Sequence, residues 1–107
     1  AATELAVDVE VFTEREISGA PVSEEGSAAY YAGRWSAKEA VAKALGTGIG
    51  KECGWKDIEG IRWPSGQPLV RLHGRGAETA ERLGIRRIHL SISHERNLAC
   101  ASAVAEG

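Results

Sequence analysis

At 107 residues the chain is one domain, or a piece of one, and can build a single modest core. Its 43% hydrophobic and 26% charged residues suit a soluble globular chain and exclude a disordered one. A formal net charge of −2 gives no support for non-specific nucleic-acid binding; no apolar run approaches the roughly 18 residues that span a bilayer, and no signal peptide is visible.

Cys53 and Cys100 form no metal or disulfide pattern, and both are expected to be reduced, partly buried thiols in a cytoplasmic protein. The chain has no methionine, even at position 1. It is therefore expected to begin inside a longer reading frame, to have been processed, or to omit residues. Neither an internal repeat nor a linker divides it, so residues 1–107 are expected to form a single domain. So small a domain leaves much surface exposed, and self-association would help it.

In chain order, Leu5 to Val11 alternates in the manner of a strand, with Asp8 and Glu10 on one face and Val7, Val9 and Val11 on the other. Phe12 to Ile17 predicts a helical turn, and Ser18 to Gly26 a loop. Ser23 or Ser27 caps a long helix that runs to about Leu45, with Ala28, Tyr31, Trp35, Ala42 and Leu45 on its apolar side. Thr47 to Gly54 is a loop. Asp57 to Trp63 and Pro68 to His73 are strands joined by the turn Pro64-Ser65-Gly66-Gln67. Gly76 to Leu83 is a short helix closed by Gly84. Ile85 to Ser93 is a strand with Ile88, Leu90 and Ile92 on one face. His94 to Asn97 turns the chain, and Leu98 to Ala105 returns beside it. This order predicts an α+β fold, a mainly antiparallel sheet packed on one long and one short helix.

The stretch Arg34 to Gly48 carries the strongest chemical signal. Glu39 and Lys43 are i and i+4, so they share a helix face. Gly46 stands where a left-handed C-cap belongs. A carboxylate, an ammonium group and a loop of backbone N–H groups are then expected in one corner, suited to a metal ion and a diphosphate. Each feature alone has a plainer explanation. Asp8 alone is a solvent-facing strand acid. Glu39 and Lys43 alone are a surface ion pair contributing about 0.3–0.5 kcal/mol. Gly46-Thr47-Gly48-Ile49-Gly50 follows a helix and lacks the dinucleotide-binding spacing, and Lys51 lacks the phosphate-loop spacing. His94 alone is a half-buried histidine with a hydrogen bond; as a functional group it would donate to a phosphate at a strand end. His73 and His89 show no ligand spacing, so no zinc site is expected.

The blocks Val7-Asp8-Val9-Glu10, Phe12-Thr13-Glu14-Arg15-Glu16, Trp35-Ser36-Ala37-Lys38-Glu39-Ala40, Lys43-Ala44-Leu45-Gly46-Thr47-Gly48 and Leu90-Ser91-Ile92-Ser93-His94 resemble, in order, the holo-acyl-carrier-protein synthase family of 4′-phosphopantetheinyl transferases. The resemblance covers nearly the whole chain. It implies a 4′-phosphopantetheinyl transferase-like fold, with Asp8 and Glu39 binding Mg²⁺. It also implies Lys43 at the diphosphate of coenzyme A, Gly46 and Gly48 in the loop that diphosphate approaches, and His94 near the cofactor's phosphates. Gly66-Gln67-Pro68 resembles a turn near the adenine, which makes Pro68 a candidate contact. The family is commonly trimeric, with its site between subunits. The chain departs from the pattern where Val11 runs straight into Phe12, without the helix that helps dock the carrier. Either a segment near 11–12 is deleted or residues are absent there. Ala6 replaces the glycine usual before the strand aspartate.

The implied reaction moves 4′-phosphopantetheine from coenzyme A to a serine of an acyl carrier protein, releasing adenosine 3′,5′-bisphosphate. Lys43 would offset charge on the departing phosphate or protonate it, and Glu39 or a metal-bound water would accept the serine proton. Carrier proteins are acidic, so Arg15 and Arg34 are candidate steering groups. Two alternatives stay open: a non-catalytic module that binds coenzyme A or a nucleotide, and a subdomain of a multienzyme fatty acid synthase.

Overall fold

A computed structural model describes residues 10–62, 68–95 and 98–107, with side chains described for 10–60, 68–93 and 101–107. Asp8, most of the first expected strand and the turn at 64–67 lie outside the described residues. So do the side chains of His94 and Cys100. Glu10 and Val11 form a turn, so the expected strand does not extend to Val11.

Helix α1 spans Glu14–Ser18 and opens with a capping box. The Glu16 N–H donates to Thr13 Oγ1 (3.2 Å), and the Thr13 N–H donates to Glu16 Oε1 (2.9 Å). Helix α2 spans Glu24–Ala44. Its N-cap is Ser23, whose hydroxyl accepts from the Gly26 N–H. Leu45 closes the helix and Gly46 follows at φ +82°. The Gly46 N–H donates to Lys43 O and the Thr47 N–H to Ala42 O, the two bonds of a Schellman motif.

A 3-10 turn at Trp55–Asp57 leads into β1 (Ile58–Arg62), which pairs antiparallel with β2 (Pro68–Leu72). Helix α3 (Gly74–Arg82) ends in a second Schellman motif around Gly84, φ +74°. Strand β3 (Arg87–Glu95) pairs antiparallel with β4 (Leu98–Glu106). Strand β3 therefore runs through His94 and Glu95, which the sequence reading put in the turn; His94 stands opposite Ala99. Among the described residues the strands make two separate two-stranded sheets, where one mainly antiparallel sheet was expected.

Helix α2 lies across the β3–β4 hairpin and touches β1. The core gathers at its C-terminal end, where Val41, Ala42 and Leu45 meet Cys53, Ile58 and Ala80. Ile88 and Leu90 pack on that cluster from β3, while Arg87, His89 and Ser91 face outward, the alternation of a half-buried strand. Close approach explains Gly76, because a Cβ there would stand 3.0 Å from Asp57 Cβ and 3.1 Å from Cys53 Sγ. The buried face of α2 is not the expected one. Ala28 and Trp35 are exposed, and the buried residues are Gly33, Arg34, Ala37, Lys38, Val41 and Ala42. The stripe is rotated because two charged side chains bury within it.

Candidate functional site

Glu39 and Lys43 stand on α2 beside the buried stripe, Glu39 half-buried and Lys43 exposed. Four residues separate them by about 6 Å along the axis. The plain ion-pair reading does not hold. The two do not pair with each other, and neither makes a hydrogen bond or ion pair among the described residues. The Glu39 oxygens are thus available to a hard cation such as Mg²⁺, and the Lys43 ammonium to an anion. Asp8, the expected second metal ligand, lies outside the described residues.

The backbone donors of the glycine loop are bonded within the chain. The N–H groups of Thr47 and Gly48 both donate to Ala42 O, Gly46 N–H to Lys43 O, and Gly50 N–H to Cys53 O. Those four donors are engaged within the chain and do not form a free cradle. What the loop does offer is room, because Cβ positions at Gly46, Gly48 and Gly50 meet nothing within 4 Å among the described residues beyond their chain neighbours. A ligand can therefore approach the backbone closely. Pro68 opens β2 opposite Arg62, half-buried and beside the undescribed turn.

Lys38, next to Glu39 on α2, belongs to a buried polar cluster that the sequence reading missed. The Lys38 ammonium, 1% exposed, stands 2.8 Å from Glu16 Oε1. It also donates to Trp55 O (2.9 Å) and to Ile58 O, so all three of its N–H bonds are used. The second Glu16 oxygen accepts from the Gly60 N–H at 3.0 Å. Burial pulls the Lys38 pKa below its ordinary value, and the Glu16 carboxylate works against that pull. Glu59, also buried, accepts from Thr13 Oγ1 (2.5 Å) and lies 3.0 Å from His73 Nε2. Burial pushes its carboxyl up, but the bonds from Thr13 and His73, with the charges of His73 and Arg15, hold it below its ordinary value. Two signals for this cluster were in the sequence. Thr13-x-x-Glu16 is a capping box. Arg34, Lys38, Val41, Ala42 and Leu45 follow helical core spacing.

Arg34 is not a surface steering group. It is 8% exposed and its guanidinium lies 3.5 Å from the centre of the Tyr30 ring. Arg15 is exposed and lines a groove of about 360 Å³ with Lys56, Arg71 and His73, and with the acidic Glu14 and Glu59. Trp35 is 43% exposed and stacks on Trp55, ring centres 5.7 Å apart.

Comparison with known proteins places the chain in a family. Residues 5–102 match the 4′-phosphopantetheinyl transferase superfamily. The chain is 52% identical over 75 residues to the holo-[acyl-carrier-protein] synthase of Natranaerobius thermophilus, covering 70% of this chain and 59% of that protein. Its fold matches the crystal structure of the Neisseria meningitidis holo-[acyl-carrier-protein] synthase with a TM-score of 0.85, at 31% identity over 98% of this chain and 83% of that one. The Helicobacter pylori holo-[acyl-carrier-protein] synthase, solved in complex with coenzyme A, matches with a TM-score of 0.75 and 31% identity, over 91% and 78% of the two chains. The chain spans about three fifths of the length of the first curated relatives it matches. With its α+β architecture, the chain belongs to the 4′-phosphopantetheinyl transferase superfamily, within the holo-[acyl-carrier-protein] synthase family.

Proposed function

We propose that this protein transfers 4′-phosphopantetheine from coenzyme A to a serine hydroxyl of an acyl carrier protein, with adenosine 3′,5′-bisphosphate leaving. One observation carries the reading. In a member of this family, a carboxylate and an ammonium group stand one helical turn apart, unpaired among the described residues, above a loop with space for a ligand. The coenzyme A complex of the Helicobacter pylori relative supports the choice of donor.

Glu39 and Asp8 are the residues to hold Mg²⁺, which when bound would neutralise the diphosphate and polarise the phosphorus under attack. The serine oxygen forms a bond to the phosphorus next to the pantetheine arm, the bond to the bisphosphate oxygen breaks, and the serine proton would pass to Glu39 or to a water at the metal. Lys43 faces that oxygen and offsets the charge growing on it. Gly46 and Gly48 admit the diphosphate close to the backbone, and Pro68 and His94 contact the rest of coenzyme A. The acidic carrier meets Arg15, joined by Lys56 and Arg71 on one groove, in place of the buried Arg34. The single domain works as a cytoplasmic homotrimer whose subunits share the site.

The test is to incubate the protein with coenzyme A, MgCl₂ and an apo acyl carrier protein and weigh the carrier. The expected result is a mass gain of one phosphopantetheine group. Glu39→Gln should remove that gain while the melting temperature stays near that of the parent. Coenzyme A binding without any carrier modification would replace this reading with the non-catalytic module. Lys43→Met should lower kcat more than it weakens coenzyme A binding, because its charge matters most as the leaving group departs; equal losses in both would contradict that role.

A further inference from the structure

We propose that the buried Glu16–Lys38 ion pair sets the rotation of α2 about its own axis, and so aims Glu39 and Lys43. The aiming rests on the transferase reading; the rotation does not.

The apolar part of the buried stripe cannot define this angle well, and Arg34 lies over Tyr30 of the same helix, a contact that turns with it. Gly33, Ala37, Val41 and Ala42 are small or nearly round, and non-directional apolar contact lets such a surface turn with little penalty. Lys38 differs from them. Its three bonds reach Glu16 on α1, Trp55 in the 3-10 turn and Ile58 at the start of β1. Three acceptors on three elements fix the ammonium in space. Glu16 is fixed in turn by the Thr13 and Gly60 N–H groups. A buried ion pair is poor equipment for stability alone, since an apolar pair of equal volume often does as well or better. Its directional bonds supply what the apolar stripe lacks.

The next residue along the helix is Glu39. A helix is about 10–12 Å across with its side chains, so a rotation of about 10° swings a carboxylate at its surface by about 1 Å. A displacement of that size lowers a reaction rate by about a hundredfold when geometry is critical. Glu16 and Lys38 touch neither substrate nor metal in this account; they act through the helix, as positioning residues.

The structure also supplies a reporter of the rotation. Trp35 on α2 stacks on Trp55, whose own carbonyl accepts from Lys38. A change in helix angle alters the 22° between the two rings, and with it the exciton couplet in circular dichroism.

The decisive variant is the double substitution Glu16→Gln with Lys38→Met. It removes both charges, so no uncompensated ion is left buried. The expected result is a folded protein whose Trp35–Trp55 couplet is weakened. Its kcat for carrier modification should fall by about tenfold to a hundredfold, with the KM for coenzyme A within about twofold of the parent. A folded double variant with the parental couplet and parental kcat overturns the proposal, whatever its melting temperature. If the double variant does not fold, Glu16→Gln alone, which keeps an acceptor for the Gly60 N–H, is judged by the same two readouts. A parent protein that modifies no carrier would refute the transferase reading, and the couplet would still decide whether the pair sets the helix angle.

Discussion

Helix α2 is held in two different ways along its length. Its middle is tied by directional polar bonds, from Lys38 to Glu16, Trp55 and Ile58. Its C-terminal end is sunk in an apolar cluster, where Val41, Ala42 and Leu45 meet Cys53, Ile58 and Ala80. The difference teaches a division of labour. Apolar burial supplies most of the free energy and tolerates small slips, whereas the polar tie adds little net energy and tolerates none.

The sharpest way to break this contrast is to remove one member of the polar tie. Lys38→Met alone leaves the Glu16 carboxylate buried without its cation and should cost about 3–5 kcal/mol, read as a lower midpoint in urea. A loss under about 1 kcal/mol would mean that water reaches Glu16 and the site is not dry. The apolar end should respond more gently to a shape change. Ile58→Val, at a residue 1% exposed, should cost about 0.5–1.5 kcal/mol and leave kcat unchanged.

Acid should act on the polar region. Glu59 has a folded pKa below its ordinary value of 4.5, so it contributes stability above about that pH. That contribution is lost as pH falls from 4.5 through the lowered folded value. Glu59→Gln should therefore show a shallower drop of melting temperature with pH over that window; an unchanged slope would assign the acid sensitivity elsewhere. The smallest effect is expected at the exposed pair of Arg82 and Glu52, 3.5 Å apart, where Arg82→Ala should change stability by about 0–1 kcal/mol, less at high salt.

The sequence made some of this legible and hid the rest for a physical reason. Helix ends were readable because local chemistry decides them: Ser23 caps α2, and Gly46 and Gly84 take the left-handed position that ends a helix. The β3 alternation was readable because Ile88, Leu90 and Ile92 bury one face only. The candidate site was readable only as far as spacing reaches. Glu39 and Lys43 share a face because a helix makes them do so, but whether Asp8 joins them depends on contacts across the fold. The buried stripe of α2 was misread because charge was taken to mean exposure. Lys38 buries because a partner far along the chain, Glu16, receives it, and Arg34 because Tyr30, one turn earlier on the same helix, does. A linear reading sees the lysine but not the carboxylate waiting 22 positions earlier.

The two glycine-terminated helices have one more consequence, which concerns handedness. At Gly46 and Gly84 the backbone turns the opposite way from that preferred by ribosomal amino acids, yet among the described residues no atom beyond the chain neighbours lies within 4 Å of where an L-alanine methyl would point. An L-alanine there would be opposed by its own stereochemistry rather than by crowding. Its mirror image, D-alanine, introduced by chemical ligation, escapes the stereochemical penalty and narrows the wandering of the unfolded chain. Each such replacement should strengthen the protein by about 0.4–1 kcal/mol, and a loss instead would place a neighbour beside that glycine.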